Sequence, residues 1–415
     1  MKNILYLFIF LYISLSYSDD FYKPISKNLF DIKHIWGSIV ISYKMDDTNK
    51  FSFKDKNNNA FSIASTFGYF YTFTHQLGIG FEVAGWSDLG LNIANSPRIN
   101  NQIFPNVTQT WLKLNDSELS QLFISYKTDS FAIRIGREEI NHKISPWLFS
   151  ERSISVLDFA YDGLILSYKQ NQNLYNFGWI TNISNISQHI KLGENGFGTM
   201  FISSQIKPNR YSKLHTALYI FPKSKYTFHN IKLGDNENLW SAWLYGSYKF
   251  HGFNNVLQIV YCDGNHDKTK TIAIANQLRI YRKKYTLKAT LAYINDGEYS
   301  IKSAGLGIGS SAFLGKSLNG EFGSDIKGYK QYITRVDAQY KLNNSKVYGG
   351  LAYNKHRSIK LYQLNKEYAI QLGYMLNYNH IHYQVEYRYK HQQRNNHTKY
   401  IKQHLHFDII YKFIK

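Results

Sequence analysis

The sequence predicts an all-β chain folded as a transmembrane, up-and-down antiparallel β-barrel of about eighteen strands, with long outer loops and short periplasmic turns. One observation behind this prediction is that apolar and polar residues alternate with a period of two along most of the chain. A second is that the connections between the alternating segments are long and short in turn. The composition agrees, because 17% of the 415 residues are aromatic and only 6 are proline. Aromatic belts are therefore available and few strands are interrupted.

The alternation is clearest in the last predicted strands. Even positions from Tyr368 to Tyr378 are apolar or aromatic, whereas most odd positions there are small or polar. Odd positions from Ile381 to Tyr389 are apolar or aromatic, and charged or polar residues oppose them. A strand with one apolar and one charged face can pack on a soluble core or stand in lipid. The mean hydropathy of −0.39 is what alternation produces when half of each strand faces water.

The spacing of the predicted strands favours the membrane interpretation. The strands are expected at 35–44, 60–72, 77–87, 119–127, 131–140, 160–169, 173–182, 196–206, 212–221, 238–250, 254–263, 271–282, 285–295, 331–341, 345–354, 367–378, 381–391 and 400–413. Long connections such as 88–118 alternate with short ones such as 128–130, and the short ones contain turn residues such as Pro208-Asn209-Arg210. This rhythm is typical of outer-membrane barrels, and a Greek-key sandwich has no reason to produce it.

The N-terminus predicts export. Lys2 precedes an apolar run from Ile4 to Leu15, which is followed by small residues at positions −3 and −1 relative to an expected cut after Ser18. This pattern is typical of a cleavable signal peptide. The run is too short to span a bilayer as an anchor helix. We therefore expect a signal peptide at 1–18 and a barrel domain at 19–415. The single cysteine, Cys262, excludes a disulfide framework, and the predicted destination is the outer membrane of a Gram-negative bacterium.

The charge and the histidines limit the function classes. The net charge of +20 is dispersed, and an exported chain meets little nucleic acid, so no nucleic-acid partner is expected. Outer-membrane lipid, including lipopolysaccharide, and small hydrophilic solutes are the expected partners. His404 and His406 are not paired with a serine-bearing motif, so no enzymatic activity is expected. No cofactor or metal site is predicted.

One segment resembles a known family. The run Phe131–Ile140, which contains Gly-Arg-Glu, is followed by Pro146, Arg152 and the returning run Asp158–Gly163. This segment resembles the OprD-like outer-membrane porins, in which such a strand leads into a long third loop. The resemblance implies an ion- and solute-transport channel for passive uptake, with the third and seventh loops folded into the lumen. The corresponding loops here are 141–159 and 296–330.

Strand parity places a set of charged residues on the predicted lumen face, and loop three adds three more. These pore-lining or constriction candidates are Arg134, Glu138, Glu151, Arg152, Asp158, Arg279, Lys288, Arg335, Asp337, Lys346, Glu386 and Arg388. Because basic residues outnumber acids, one hypothesis is a mildly anion-favouring pore. The alternative is that neighbouring charges pair and only keep the lumen wet.

The predicted function is therefore passive diffusion of small hydrophilic solutes through a porin narrowed by inward-folded loops. A surface adhesin or structural barrel with a closed lumen is the alternative. The final strand ends near Phe413, an aromatic residue that the barrel-assembly machinery is expected to recognise. The pattern does not distinguish a homotrimer from a monomer, since an aromatic stripe looks the same against lipid or a neighbour.

Overall fold

The computed structural model describes a chain of β-strands. The described residues are 29–30, 34–48, 59–87, 116–141, 144–146, 160–185, 188–192, 196–223, 226–228, 231–233, 238–264, 270–295, 297, 329–358, 363–394 and 398–414. Their 21 strands are β1 (Ile35–Thr48), β2 (Asn59–Thr72), β3 (Leu77–Ser87), β4 (Asp116–Lys127), β5 (Phe131–Glu138), β6 (Ala160–Gln170), β7 (Asn173–Asn185), β8 (Gln188–Lys191), β9 (Thr199–Ile206), β10 (Ser212–Phe221), β11 (Tyr226–Phe228), β12 (Ile231–Leu233), β13 (Leu239–Phe250), β14 (Phe253–Gly264), β15 (Thr271–Tyr281), β16 (Tyr285–Ile294), β17 (Tyr329–Lys341), β18 (Ser345–Ser358), β19 (Gln363–Tyr378), β20 (Ile381–Arg394) and β21 (Thr398–Ile414).

Eighteen of these strands form one closed antiparallel wall. Each wall strand pairs with the next one along the chain, and β21 pairs with β1 over the register Trp36↔Ile414 to Thr48↔Lys402. The short strand β8 pairs only with β7, and β11 pairs with β12 in a separate hairpin. Closure removes both sheet edges, so every wall strand has a hydrogen-bonding partner on each side. The predicted fold class is confirmed.

The two faces of the wall differ as the alternation predicts. In β19, Tyr368 and Leu372 are exposed on the outside of the barrel, whereas Glu367 and Ala369 are buried on the inside. In β20, Val385 is exposed and its neighbour Glu386 is buried. Exposed large apolar side chains recur on the outward face of nearly every wall strand. This apolar surface is suited to hydrocarbon, and the inward face carries the polar groups.

One end of the barrel, which we call the short-turn end, carries only connections of two to five residues, such as those between β6 and β7 and between β9 and β10. The opposite end carries the long connections, such as that between β3 and β4, and we call it the long-loop end. Asn171, His251, Gly252 and Asn379 have positive φ angles of 54°, 41°, 83° and 48° in the tightest turns. Such angles match the right-handed twist of the flanking strands. In the turn before β10, the side-chain oxygen of Asn209 accepts hydrogen bonds of 2.9 Å from the backbone N–H groups of Tyr211 and Ser212.

Several strands run further toward the long-loop end than the sequence predicts. β18 was expected at 345–354 and ends at Ser358, and β20 was expected at 381–391 and ends at Arg394. Residues 355–358 are Lys-His-Arg-Ser, so the apolar alternation has stopped there. The backbone ladder continues nonetheless, with Lys355 opposite Lys366. Alternation therefore marks the apolar band of a strand, and the ladder extends beyond that band.

Among the described residues, no helix is long and apolar enough to cross a membrane.

Candidate functional site: the barrel lumen

The inward face of the wall brings most of the predicted site residues into one compartment. Those in described strands that share the inward parity are Arg134, Glu138, Arg279, Lys288, Arg335, Asp337, Lys346, Glu386 and Arg388. The loop-three candidates Glu151, Arg152 and Asp158 lie outside the described residues. The inward residues do not form one cluster, because they separate into a buried pair and two groups on the far side of the barrel.

One side of the lumen is apolar. We call this the apolar sector; it consists of buried inward-facing residues that include Ile165, Ile180, Phe201, Tyr219 and Trp243. Phe201 and Tyr219 lie ring to ring, with centroids 5.8 Å apart. A large apolar surface inside a water-filled pore would be unfavourable unless something covered it. The first residues of loop three provide that cover.

Loop three begins by folding back onto the apolar sector. Ile140 and Ile144 are fully buried there, and the turn between them is closed by a hydrogen bond of 2.8 Å from Ile144 N–H to the Asn141 carbonyl. Ser145 Oγ lies 2.9 Å from the Tyr219 hydroxyl. The chain leaves the wall at β5 and reaches β10, so it crosses the inner surface of β6, β7 and β9. The sequence predicts a long loop here, but only the tertiary structure shows what its base contacts.

A chain of polar side chains secures this base. Ser167 Oγ donates to Asn176 Oδ1 over 2.7 Å, and Asn176 Nδ2 donates to Ser203 Oγ over 3.0 Å. Ser203 Oγ then donates to the carbonyl of Ile144 over 2.5 Å. Buried hydrogen bonds thus link three wall strands to the loop, and each polar side chain in the series has a hydrogen-bonding partner. Sequence alternation could place these three side chains inward but could not show the order of the bonds.

The predicted pair Arg134 and Glu138 is inward-facing but buried. Their side chains form an ion pair of 3.0 Å, with exposures of 4% and 2%. The Arg134 guanidinium lies 4.9 Å from the ring centroid of Phe123, and its Nη2 is 3.5 Å from the carbonyl of Leu29, a fully buried residue ahead of β1. The opposite charges of the two side chains neutralise each other, so the pair contributes little net charge to the water-filled part of the lumen.

A group of charges lies on β15, β16 and β17. The register places Arg279 opposite Lys288, and Lys288 opposite Asp337. Asp337 Oδ1 is 2.7 Å from Arg335 Nη2. Three cations therefore share one carboxylate on this part of the wall. Parity alone placed these side chains on one face, and the strand register supplies their neighbours.

The second group, on β18 to β20, combines an aromatic side chain, a glycine and an ion pair. Tyr348, Gly373 and Glu386 stand in one row across three strands. The Tyr348 hydroxyl donates to Glu386 Oε2 over 2.8 Å, and Gln371 Nε2 also donates to Glu386 Oε2. Glu386 Oε1 lies 2.5 Å from Arg388 Nε. Tyr348 is not among the predicted site residues, because a tyrosine in a barrel strand usually belongs to the outer aromatic belts. Its even parity, shared with Lys346, was the available indication.

Further inward-facing polar groups lie beside this second group. Lys390 Nζ and Glu367 Oε2 form a buried ion pair of 2.9 Å, and parity would have found both. His406 Nε2 is 2.8 Å from Asp408 Oδ1, and the rings of His404 and His406 are 5.8 Å apart. Within the part of the chain that the structure describes, no group of three or more His, Cys, Asp or Glu side chains is arranged to hold a metal ion.

The long-loop end has charged residues on the outward face. Arg137 Nε and Asp162 Oδ1 form an ion pair of 2.6 Å, and Asn182 Nδ2 donates to Asp162 Oδ2 over 3.1 Å. Lys270 Nζ lies 3.1 Å from Asp263 Oδ2, and the hydrogen bond to Asp263 raises the pKa of Lys270. These polar groups lie on the outward face beyond the apolar band, at the level expected for lipid headgroups.

A closed antiparallel barrel with an apolar outside and a polar, charged inside defines the class of transmembrane β-barrels. No protein-family profile matches the chain, and no curated protein matches its sequence. Solved structures do match: Acinetobacter baumannii OccAB3, with a TM-score of 0.69 and 10% identity, aligns over 92% of this chain and 99% of its own. Acinetobacter baumannii OccAB4 has a TM-score of 0.64 and 14% identity, over 93% of this chain and 100% of that one.

Pseudomonas aeruginosa OpdK, an outer-membrane protein, is a further match, with a TM-score of 0.65 and 10% identity over 91% of this chain and 99% of that one. The Occ and Opd proteins are outer-membrane porins of the OprD type, which are channels and not enzymes. At these identities the likeness establishes the fold. The resemblance to OprD-like porins in the sequence is thus confirmed at the level of the fold.

Proposed function

We propose that this chain is an outer-membrane porin through which small hydrophilic solutes diffuse passively. The observation that carries the proposal is the closed wall of eighteen strands with a charged inward face and an apolar outward face. A barrel of this size encloses more volume than its wall side chains fill, so a water-filled path remains unless loops occupy it. The similarity of the fold to the Occ and Opd porins supports the same function.

Loop three narrows the path in this proposal. Its base lies on the apolar sector, with Ile144 and Ser145 held against β9 and β10. A segment fixed on one side of the lumen displaces the path toward the opposite wall, where the charged groups of β15 to β20 lie. Residues 147–159 and 298–328 lie outside the described residues, and the inward folding of 296–330 stays a prediction from the sequence.

The solutes are hydrophilic and the pore favours anions. Of the predicted inward-facing site residues on β15 to β20 that are not fully buried, Arg279, Lys288, Arg335, Lys346 and Arg388 are basic, and Asp337 is acidic. Fixed cations in a narrow channel with low-dielectric walls raise the local concentration of anions. The pairing of Arg335 with Asp337 reduces this preference without removing it.

The remaining elements of the proposal concern biogenesis and assembly. The signal peptide at 1–18 directs export, and the barrel domain is then inserted into the outer membrane of a Gram-negative bacterium by the barrel-assembly machinery. The outward apolar face contacts membrane lipid, and the long-loop end contacts lipopolysaccharide. The barrel functions as a monomer or a homotrimer, and no cofactor takes part.

Planar-bilayer recording of the refolded mature chain under a salt gradient tests the proposal. Discrete openings with an anion-side reversal potential are expected. Openings with a cation-side reversal potential would keep the porin and contradict the proposed role of the wall charges. A barrel that is folded, as shown by its heat-sensitive mobility on a denaturing gel, but conducts no current would refute the porin and favour the adhesin.

A further inference from the structure

Two ion pairs on the lumen wall have the same spacing along the chain but present different charges to the lumen. Arg335 and Asp337 are two residues apart in β17, and their side chains are 19% and 18% exposed. Glu386 and Arg388 are two residues apart in β20, but here the arginine is 23% exposed and the glutamate 3%. The first pair shows both charges to the lumen. The second shows mainly its cation.

Tyr348 and Gln371 both donate to Glu386 Oε2, and the tyrosine adds an aromatic ring beside the carboxylate. The tyrosine is on β18, two strands away from Glu386, and the row between them passes through Gly373 on β19. The ring lies across this glycine, and its hydroxyl donates to Glu386 Oε2 over 2.8 Å. Gln384 Nε2 donates to the same hydroxyl over 2.9 Å, which fixes the end of the ring. One carboxylate oxygen is therefore held away from water, and the other faces Arg388.

Gly373 allows the ring to cross. A Cβ atom at this position would collide with the Tyr348 ring, so a larger residue would push the tyrosine off the wall. A row on β1 to β3 has the same construction: Trp36 lies across Gly68, and its Nε1 donates to the buried carboxylate of Glu82 over 2.6 Å. The inner wall thus withdraws a carboxylate in the same manner at two separate places.

We propose that Tyr348, lying over Gly373, screens Glu386 from the lumen and so makes Arg388 a specificity-determining residue for anions. This inference rests on the proposed porin function and extends it to named residues. An anion in contact with the guanidinium is attracted by a positive charge at short distance. The carboxylate is held behind the ring, and its repulsion is weaker because it acts over a longer, ion-screened distance. In the part of the chain that the structure describes, the guanidinium of Arg388 is engaged by Glu386 through Nε alone.

The test measures the anion-to-cation permeability ratio from the reversal potential of single channels in a potassium chloride gradient. Arg388→Gln is expected to lower the ratio by roughly two- to five-fold, the effect of one partly screened charge. Tyr348→Ala is expected to lower it in the same direction, because Glu386 becomes exposed. The double variant Tyr348→Ala with Glu386→Gln is expected to restore the ratio, since the exposed group is then neutral.

Two further variants make the test independent of folding defects. Tyr348→Phe keeps the ring over Gly373, so the ratio should stay near the wild-type value. Asp337→Asn is the matched control for a carboxylate that the lumen already sees, and it should raise the ratio more than Glu386→Gln does. Each variant is first checked for a folded barrel by heat-sensitive gel mobility.

Two results would overturn the inference. One is a Tyr348→Ala channel with the wild-type ratio; the other is a lowered ratio that Glu386→Gln does not restore. If Tyr348→Ala does not fold, equal effects of Asp337→Asn and Glu386→Gln overturn it as well. A folded wild-type barrel that carries no current would instead refute the porin function itself, so the two failures are distinguishable.

Discussion

The hydrogen bond from Ser203 to the carbonyl of Ile144 allows the anchoring of loop three to be tested by a single substitution. Ser203→Ala removes the donor of this 2.5 Å bond and the acceptor of the 3.0 Å bond from Asn176. A buried polar group left without its partner costs about 1–3 kcal/mol. That range shifts the equilibrium between attached and detached loop base by roughly 5- to 150-fold, since each 1.4 kcal/mol is tenfold.

The expected result is a second conductance level in single-channel recordings of Ser203→Ala, because the detached base no longer holds one fixed position in the lumen. Ser204→Ala is the matched control: the same residue type, next along β9, bonds to Thr216 over 2.8 Å on the outward face. This control should keep the single wild-type level. Identical recordings for the two variants, with both barrels folded, would show that the Ser203 bond does not fix the loop.

Three further predictions concern the wall. Gly178→Ala should lower the free energy of unfolding by about 1–3 kcal/mol, measured by urea titration followed by gel mobility, because the added Cβ would collide with the Phe201 ring. Gly246→Ala is the control and should leave stability unchanged, because no atom lies within 4 Å of the added Cβ. Leu291→Arg, on the outward face and 64% exposed, should cost about 2–4 kcal/mol in the same assay because a charge enters hydrocarbon, and Leu291→Ala should cost much less. Cys262 is buried, so a maleimide should label it, as read by mass spectrometry, only after denaturation; rapid labelling of the folded barrel would contradict its placement.

The sequence by itself determined the wall. The period-two alternation predicted strands at the positions that the wall strands occupy, and the rhythm of long and short connections predicted their up-and-down order. Both are local properties, because a side chain alternates faces wherever the backbone is extended, and a tight turn needs its own residues, such as Asn171 and Asn379 at positive φ. Parity also put Arg335, Asp337, Glu386 and Arg388 on one face.

Only the tertiary structure decided what these residues contact. Tyr348, Gly373 and Glu386 are far apart in the chain. They form one row only because the register of three strands places them opposite one another. The anchoring of Ile144 to Ser203 depends on the pairing of β5 with β6, β6 with β7 and β7 with β9, which brings β9 within reach of the loop that leaves β5. Alternation fixes which face a side chain occupies but says nothing of its neighbour across the sheet. Register, closure and the space over a glycine are non-local properties of the fold. They decide whether a charged side chain is exposed to the lumen or buried in the wall.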